Sequence, residues 1–109
     1  MTEITSIVEF KNFIETHHFS FIFISREECG VCHALLPQVE ELLRRFPEIQ
    51  LGHIDAGLVE DIAGHLMVFT VPVLLLFVDG KEYIREARFV HMEMLEEKIS
   101  KIYNGMATD

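Results

Sequence analysis

The sequence predicts an α/β fold, and three observations carry that expectation. The run Phe19-Ser20-Phe21-Ile22-Phe23-Ile24-Ser25 is aromatic and β-branched, a strand pattern; a stretch of helical period follows it, then a second strand. That order is a βαβ unit. Further on, Val73 to Val78 reads as another core strand and Asp79-Gly80 as a two-residue hairpin turn. Finally, the 109 residues are half apolar and include nine Phe and two Tyr, enough to bury a core without staples in a single domain spanning 1–109.

Taken in order, Ser6-Ile7-Val8-Glu9 fits a capping box, with Ser6 as N-cap and Glu9 at N3. Ile7, Phe10, Phe13 and Ile14 then recur at helical spacing, which predicts a helix over about 7–17. The strand over 19–25 is apolar on both faces and so should be buried on both. Val31, Leu35, Val39, Leu42, Leu43 and Phe46 share the face of the next helix, and Pro37 inside it should kink it. Gln50 to Asp55 is the second strand, and a short helix covers roughly Leu58 to Leu66. Val73 to Val78 and Lys81 to Phe89 form the hairpin, the charges of the latter suiting an exposed edge. Met92, Leu95, Ile99 and Ile102 line a closing helix over 92–103, and residues 104–109 should fray.

The net charge of −9 argues against a nucleic-acid partner, since phosphate binding needs clustered Lys and Arg, and against an anionic membrane surface. The longest unbroken apolar run, Val71 to Val78, is too short to span a bilayer. No basic segment followed by an apolar one opens the chain, so a cytoplasmic location and a monomer are the expectation.

The segment Cys29-Gly30-Val31-Cys32-His33 falls where the first core strand ends and a helix begins. C-x-x-C-H is a pattern for c-type haem attachment, C-x-x-C is half of many zinc sites, and C-x-x-C opening a helix is a thiol redox pair. Haem attachment belongs to exported proteins. A metal site needs more ligands than Cys29, Cys32 and His33 supply, and no second C-x-x-C or H-x-x-x-H exists. His17 and His18 read as a solvated helix end. His53, His65 and His91 lack partners at ligand spacing. No cofactor and no metal is expected.

A strand, CGVC at 29–32, Pro37, Ile54-Asp55, Thr70-Val71-Pro72 and the Val78-Asp79-Gly80-Lys81 turn, in that order, resemble the thioredoxin family over nearly the whole chain. The resemblance implies a thioredoxin fold, a mixed four- to five-stranded sheet flanked by helices on both faces, with a cis Val71–Pro72 bond against the cysteine pair. It implies a thiol–disulfide oxidoreductase in which Cys29 is the nucleophile and Cys32 resolves the mixed disulfide. The backbone at Val71 and Pro72 would pair with an extended segment of a disulfide-containing protein, and an unidentified electron donor would recharge the pair.

A helix N-terminus favours a thiolate at Cys29. Glu27 and Glu28 oppose that charge, while Arg26 and protonated His33 favour it, and Gly30 and Val31 set the geometry between the sulfurs. Three departures stand out. Glu28 occupies the position where thioredoxins carry Trp, the middle dipeptide is Gly-Val rather than Gly-Pro, and Phe23 replaces the family's buried acid. Losing that acid removes a proton acceptor for Cys32, which predicts slow resolution. Arg88 reads as an edge-strand charge, although the family layout would bring it near the same groove. The alternatives are a thioredoxin-like binding module or redox sensor with little turnover, and a metal carrier using the pair as ligands.

Overall fold

The sheet is built around two strands whose every residue is buried. In the computed structural model, which describes residues 1–106, β2 (Phe19–Ser25) and β4 (Val73–Val78) are buried along their whole length. The elements run β1 (Thr2–Glu3), α1 (Ile7–Thr16), β2, α2 (Gly30–Leu43), β3 (Ile49–Asp55), α3 (Asp61–Leu66), β4, β5 (Lys81–Ala87) and α4 (Met92–Met106). The five strands lie in the order β1-β3-β2-β4-β5. β1, β3 and β2 are parallel, while β4 and β5 are antiparallel additions on the other side of β2. The βαβ unit is thus β2–α2–β3. Parallel neighbours need a crossover of at least a dozen residues, and α2 supplies it.

Alternation along β2 divides the core. Phe19, Phe21 and Phe23 face a cluster with Cys32, Leu35 and Val39 of α2 and Leu95 and Ile99 of α4. Ile22 and Ile24 face a second cluster with Phe10, Phe13 and Ile14 of α1 and Ile62 and Leu66 of α3. Helices therefore cover both faces of a mixed sheet.

Several elements differ from their sequence-based outlines. The fifth strand, β1, had no sequence signal of its own: its two exposed residues are a strand only because they pair with Gly52 and His53. Ser6 caps α1 by accepting from the Glu9 N–H, but the Glu9 carboxylate turns back to the Thr5 N–H and hydroxyl. α2 runs from Gly30 to Leu43 with Pro37 inside it, and the proline has no N–H to donate to the His33 carbonyl. α3 starts at Asp61, because Asp55 draws residues 57–59 into turns through its carboxylate and carbonyl. It ends at Met67, a left-handed residue with φ 56°, where the Val68 N–H reaches the Ala63 carbonyl at 2.8 Å.

The Asp79-Gly80 turn has positive φ at both residues, 50° and 81°, the mirror-image turn that matches strand twist. β5 ends at Ala87 rather than Phe89. It carries a bulge: Leu76 pairs with Ile84 but Phe77 with Glu82, so Tyr83 is the extra residue. The bulge re-phases the strand and turns Ile84 into the core. α4 extends to Met106, beyond the expected fraying point, and the rest of the expected frayed tail, 107–109, lies outside the described residues.

His18, expected to be a solvated helix end, ties three elements together. Its Nδ1 lies 2.7 Å from an Asp79 carboxylate oxygen in the β4–β5 turn, and its Nε2 lies 2.7 Å from the Met106 carbonyl at the end of α4. His53 is likewise bracketed, by Glu3 of β1 and Ser25 of β2, each at 2.6 Å. It clasps the short edge strand onto the sheet.

Candidate active site

The cysteine pair sits at the C-terminal end of the central strand. β2 ends at Ser25, and the chain turns through Arg26–Cys29, closed by the Cys29 N–H donating to the Arg26 carbonyl at 3.1 Å. Cys29 is the N-cap of α2, with extended backbone, and its Sγ accepts from the Cys32 N–H at 3.2 Å. A sulfur thus takes the place of the oxygen that usually satisfies a helix's first orphan donors. Cys29 and Cys32 form a disulfide with Cα atoms 5.3 Å apart. Cys29 is half-buried and Cys32 is 1% exposed.

The helix orients the two sulfurs differently. Cys32 points with Leu35 and Val39 into the apolar cluster that also holds Phe23. Cys29 lies at the rim of that cluster, and so does Val71. The Val71–Pro72 peptide bond is cis, and Pro72 is buried. Among the described residues, the backbone N–H and C=O of Val71 make no hydrogen bond within the chain. A small cleft lined by Arg26, Phe69, Thr70 and Val71 separates this loop from the β2–α2 turn.

The remaining predicted site residues surround the pair. Gly30 is exposed, and a Cβ there would meet nothing within 4 Å, so sterics do not demand glycine at 30. Val31 is 61% exposed. Glu27 and Glu28 are exposed in the turn. The His33 ring is 2.6 Å from the Glu27 carbonyl through Nε2. That bond braces the turn preceding Cys29 and occupies one ring nitrogen.

Arg88 is not an edge-strand charge. It lies just past β5, its N–H donates to the Pro72 carbonyl at 3.0 Å, and its φ is 64°. The Phe89 N–H closes onto the Ala87 carbonyl at 2.9 Å, a γ-turn of the strained, positive-φ kind. No turn residue signals it in the sequence, since Arg occupies the left-handed position. The exposure of two phenylalanines, Phe69 and Phe89, was also missed. Periodicity counts a phenylalanine as core unless the fold shows otherwise.

Among the described residues, no group of three or more His, Cys, Asp or Glu side chains is placed to hold a metal ion, and no helix is long and apolar enough to cross a membrane. Held against known proteins, residues 2–101 match the thioredoxin family model. The chain is 58% identical over 103 residues to the thioredoxin-like protein YdfQ of Bacillus subtilis, covering 94% of this chain and 92% of that one. It is 32% identical over 101 residues to a thioredoxin of Chlamydia pneumoniae, covering 93% and 98%. Among solved structures, a thioredoxin from Trypanosoma brucei brucei superposes with a TM-score of 0.86 at 19% identity, over 95% of this chain and 91% of that one. Oxidised mitochondrial thioredoxin 3 from Saccharomyces cerevisiae does so with 0.82 at 24% identity, over 93% and 94%. With its fold, its C-x-x-C pair on the tip of α2 and these likenesses, the chain belongs to the thioredoxin family and carries the dithiol of a protein-disulfide oxidoreductase.

Proposed function

We propose that this protein reduces disulfides in other proteins, with Cys29 as nucleophile and Cys32 as resolving thiol. The observation that carries the reading is the placement of half-buried Cys29 at the N-cap of α2, bridged to buried Cys32 one turn on. In the reduced enzyme the Cys29 thiolate attacks one sulfur of a substrate disulfide. A Cys29–substrate disulfide forms, and the other substrate sulfur leaves and takes up a proton. Cys32 then gives up its proton, and its sulfur attacks Cys29 Sγ. The second substrate sulfur leaves and is protonated, and the Cys29–Cys32 bridge remains. Two electrons pass from the pair to the substrate. A dithiol donor reverses the bridge and closes the cycle.

Val71 offers an N–H and a C=O to a strand-like substrate segment, with Pro72 ending the contact because it has no N–H to give. The His33–Glu27 bond supports a fixed approach to Cys29. Phe23, buried in the cluster of Cys32, offers no proton acceptor, so the second step should be the slow one. Rapid mixing of wild type and Phe23→Asp addresses this: faster resolution in the variant is expected, and equal rates would count against it. The proposed setting is the cytoplasm, as a monomer, without a nucleic-acid or membrane partner.

The direct test is reduction of a protein disulfide in the presence of dithiothreitol, combined with Cys32→Ser to trap mixed disulfides. Turnover above the dithiothreitol background and a trapped adduct lost on adding Cys29→Ser are expected. Background rates and no adduct would favour a binding module with incidental cysteines.

A further inference from the structure

Glu28 is joined to the nucleophile by a single peptide bond, and it is exposed. Glu27, also exposed, precedes it in the same turn. Two bonds fix that turn: the Cys29 N–H donates to the Arg26 carbonyl at 3.1 Å, and the His33 Nε2 lies 2.6 Å from the Glu27 carbonyl. Both use backbone oxygens. Among the described residues, neither carboxylate has a hydrogen bond or an ion pair.

The neighbouring cations do not cancel this charge. Arg26 precedes Glu28 by two residues, but its Nη1 lies 3.9 Å from the point where a Gly57 Cβ would stand, and Asp55 Oδ1 lies 3.1 Å from the same point. The guanidinium thus reaches across to the start of the β3–α3 connection, beside a different carboxylate. His33 braces the turn through its backbone rather than through either acid. The basic residues further along the chain, Arg44 and Arg45, are paired with Glu41 and Glu96. Arg88 belongs with Pro72, whose carbonyl its N–H holds, not with the turn that carries the nucleophile.

We propose that Glu28, with Glu27 behind it, selects the substrate by charge: the preferred partner is a disulfide whose reacting cysteine is flanked by Lys or Arg. This rests on the oxidoreductase reading above. The physical argument is Coulombic. Two unit charges one and two residues from the reacting sulfur act over about 5–10 Å, where exposed charges still attract measurably at low ionic strength. The same carboxylates oppose the Cys29 thiolate, and a cation delivered by the substrate relieves that opposition as it docks. Selection and activation therefore coincide. The Trp that thioredoxins carry at this position could supply neither.

The test uses three peptide disulfides of one length, with Lys, Gln or Glu on both sides of the cysteine. kcat/KM is measured for wild type, Glu28→Gln, the double variant with Glu27→Gln, and Glu15→Gln. The last removes the same unit of charge from α1, which covers the other face of the sheet. Each value is divided by the rate of dithiothreitol alone on that peptide, which cancels the intrinsic reactivity of its disulfide. Far-UV circular dichroism checks that these isosteric changes at exposed positions leave the fold intact. The wild type should prefer the Lys peptide to the Glu peptide by about five- to tenfold at about 10 mM ionic strength, and by less than about twofold at about 1 M. Glu28→Gln should lose much of the low-salt preference and the double variant nearly all of it, while Glu15→Gln keeps it. A changed Cys29 reactivity moves all three peptides together, so the ratios to the Gln peptide report selection alone. A wild type without the low-salt preference, a preference that survives at about 1 M, or a double variant that retains it overturns the proposal. Glu15→Gln losing as much as Glu28→Gln would assign the effect to net charge and also overturn it. A wild type inactive on all three peptides overturns the oxidoreductase reading itself.

Discussion

The two faces of the sheet have the same construction and different burdens. One is closed by α1 and α3 over Ile22, Ile24 and Leu75; the other by α2 and α4 over Phe19, Phe21 and Phe23. Both are apolar and tightly closed. Only the second carries a sulfur pair, because α2 starts where β2 ends and its N-cap opens to solvent while Cys32 points inward. Val71 packs against both clusters, so the loop before Pro72 is anchored from each side. The comparison teaches that the chemistry adds little to the architecture. A helix on one face acquires a nucleophile at its tip, and the other face supplies stability alone.

That division is best broken by replacing one residue on each face. Cys29→Ser should lower disulfide-reduction rates by at least about a thousandfold, while the reduced variant keeps the thermal midpoint of the reduced wild type. An insulin-type turbidity assay with calorimetry checks both. Phe10→Ala, on the face without sulfur, should do the reverse. Phe10 is 1% exposed and packs edge-on against Phe77, so stability should fall by about 3–5 kcal/mol in urea titration. The folded fraction should keep its turnover per molecule. A Phe10→Ala enzyme folded but inactive would show that the faces are not independent.

A smaller effect sharpens the same contrast at the β1 edge. A Cβ at Gly52 would lie 2.7 Å from Ile4 Cδ1 and 3.1 Å from Phe13 Cε1. Gly52→Ala should cost about 1–3 kcal/mol through overpacking, again with unchanged turnover. The smallest effect concerns pH. The hydrogen bond to Asp79, then that to the Met106 carbonyl, holds the His18 pKa above its ordinary value of 6.5. Both ring nitrogens face acceptors, so the full clasp requires the doubly protonated ring. Its contribution is complete below the unfolded-state pKa and fades as pH rises through the higher folded-state value. Urea midpoints between about pH 6 and pH 8 should fall less steeply for His18→Gln than for wild type, and parallel curves would refute the clasp.

The βαβ order, the buried strands and the hairpin were legible because each is written in neighbouring residues. Alternation in β2, the apolar spacing of α2 and the Asp79-Gly80 turn need no distant partner to be recognised. The dithiol's position at a strand–helix junction was legible for the same reason. α3 was misjudged at its start because Asp55 competes for the backbone, while its end at Leu66 was placed correctly. β5 was drawn too long because Arg88 is a poor advertisement for a γ-turn.

By itself, then, the sequence determined which segments form strands and helices, which faces of them are apolar, and where two sulfurs meet a helix N-terminus. Only the tertiary structure decided that Thr2 and Glu3 are a strand, that His18 reaches a carbonyl 88 residues away, that Arg88 holds Pro72, and that two phenylalanines out of nine stay in water. The reason is physical. Local patterns record preferences of the backbone within a few residues, whereas pairing, clasping and exposure depend on neighbours that only folding supplies.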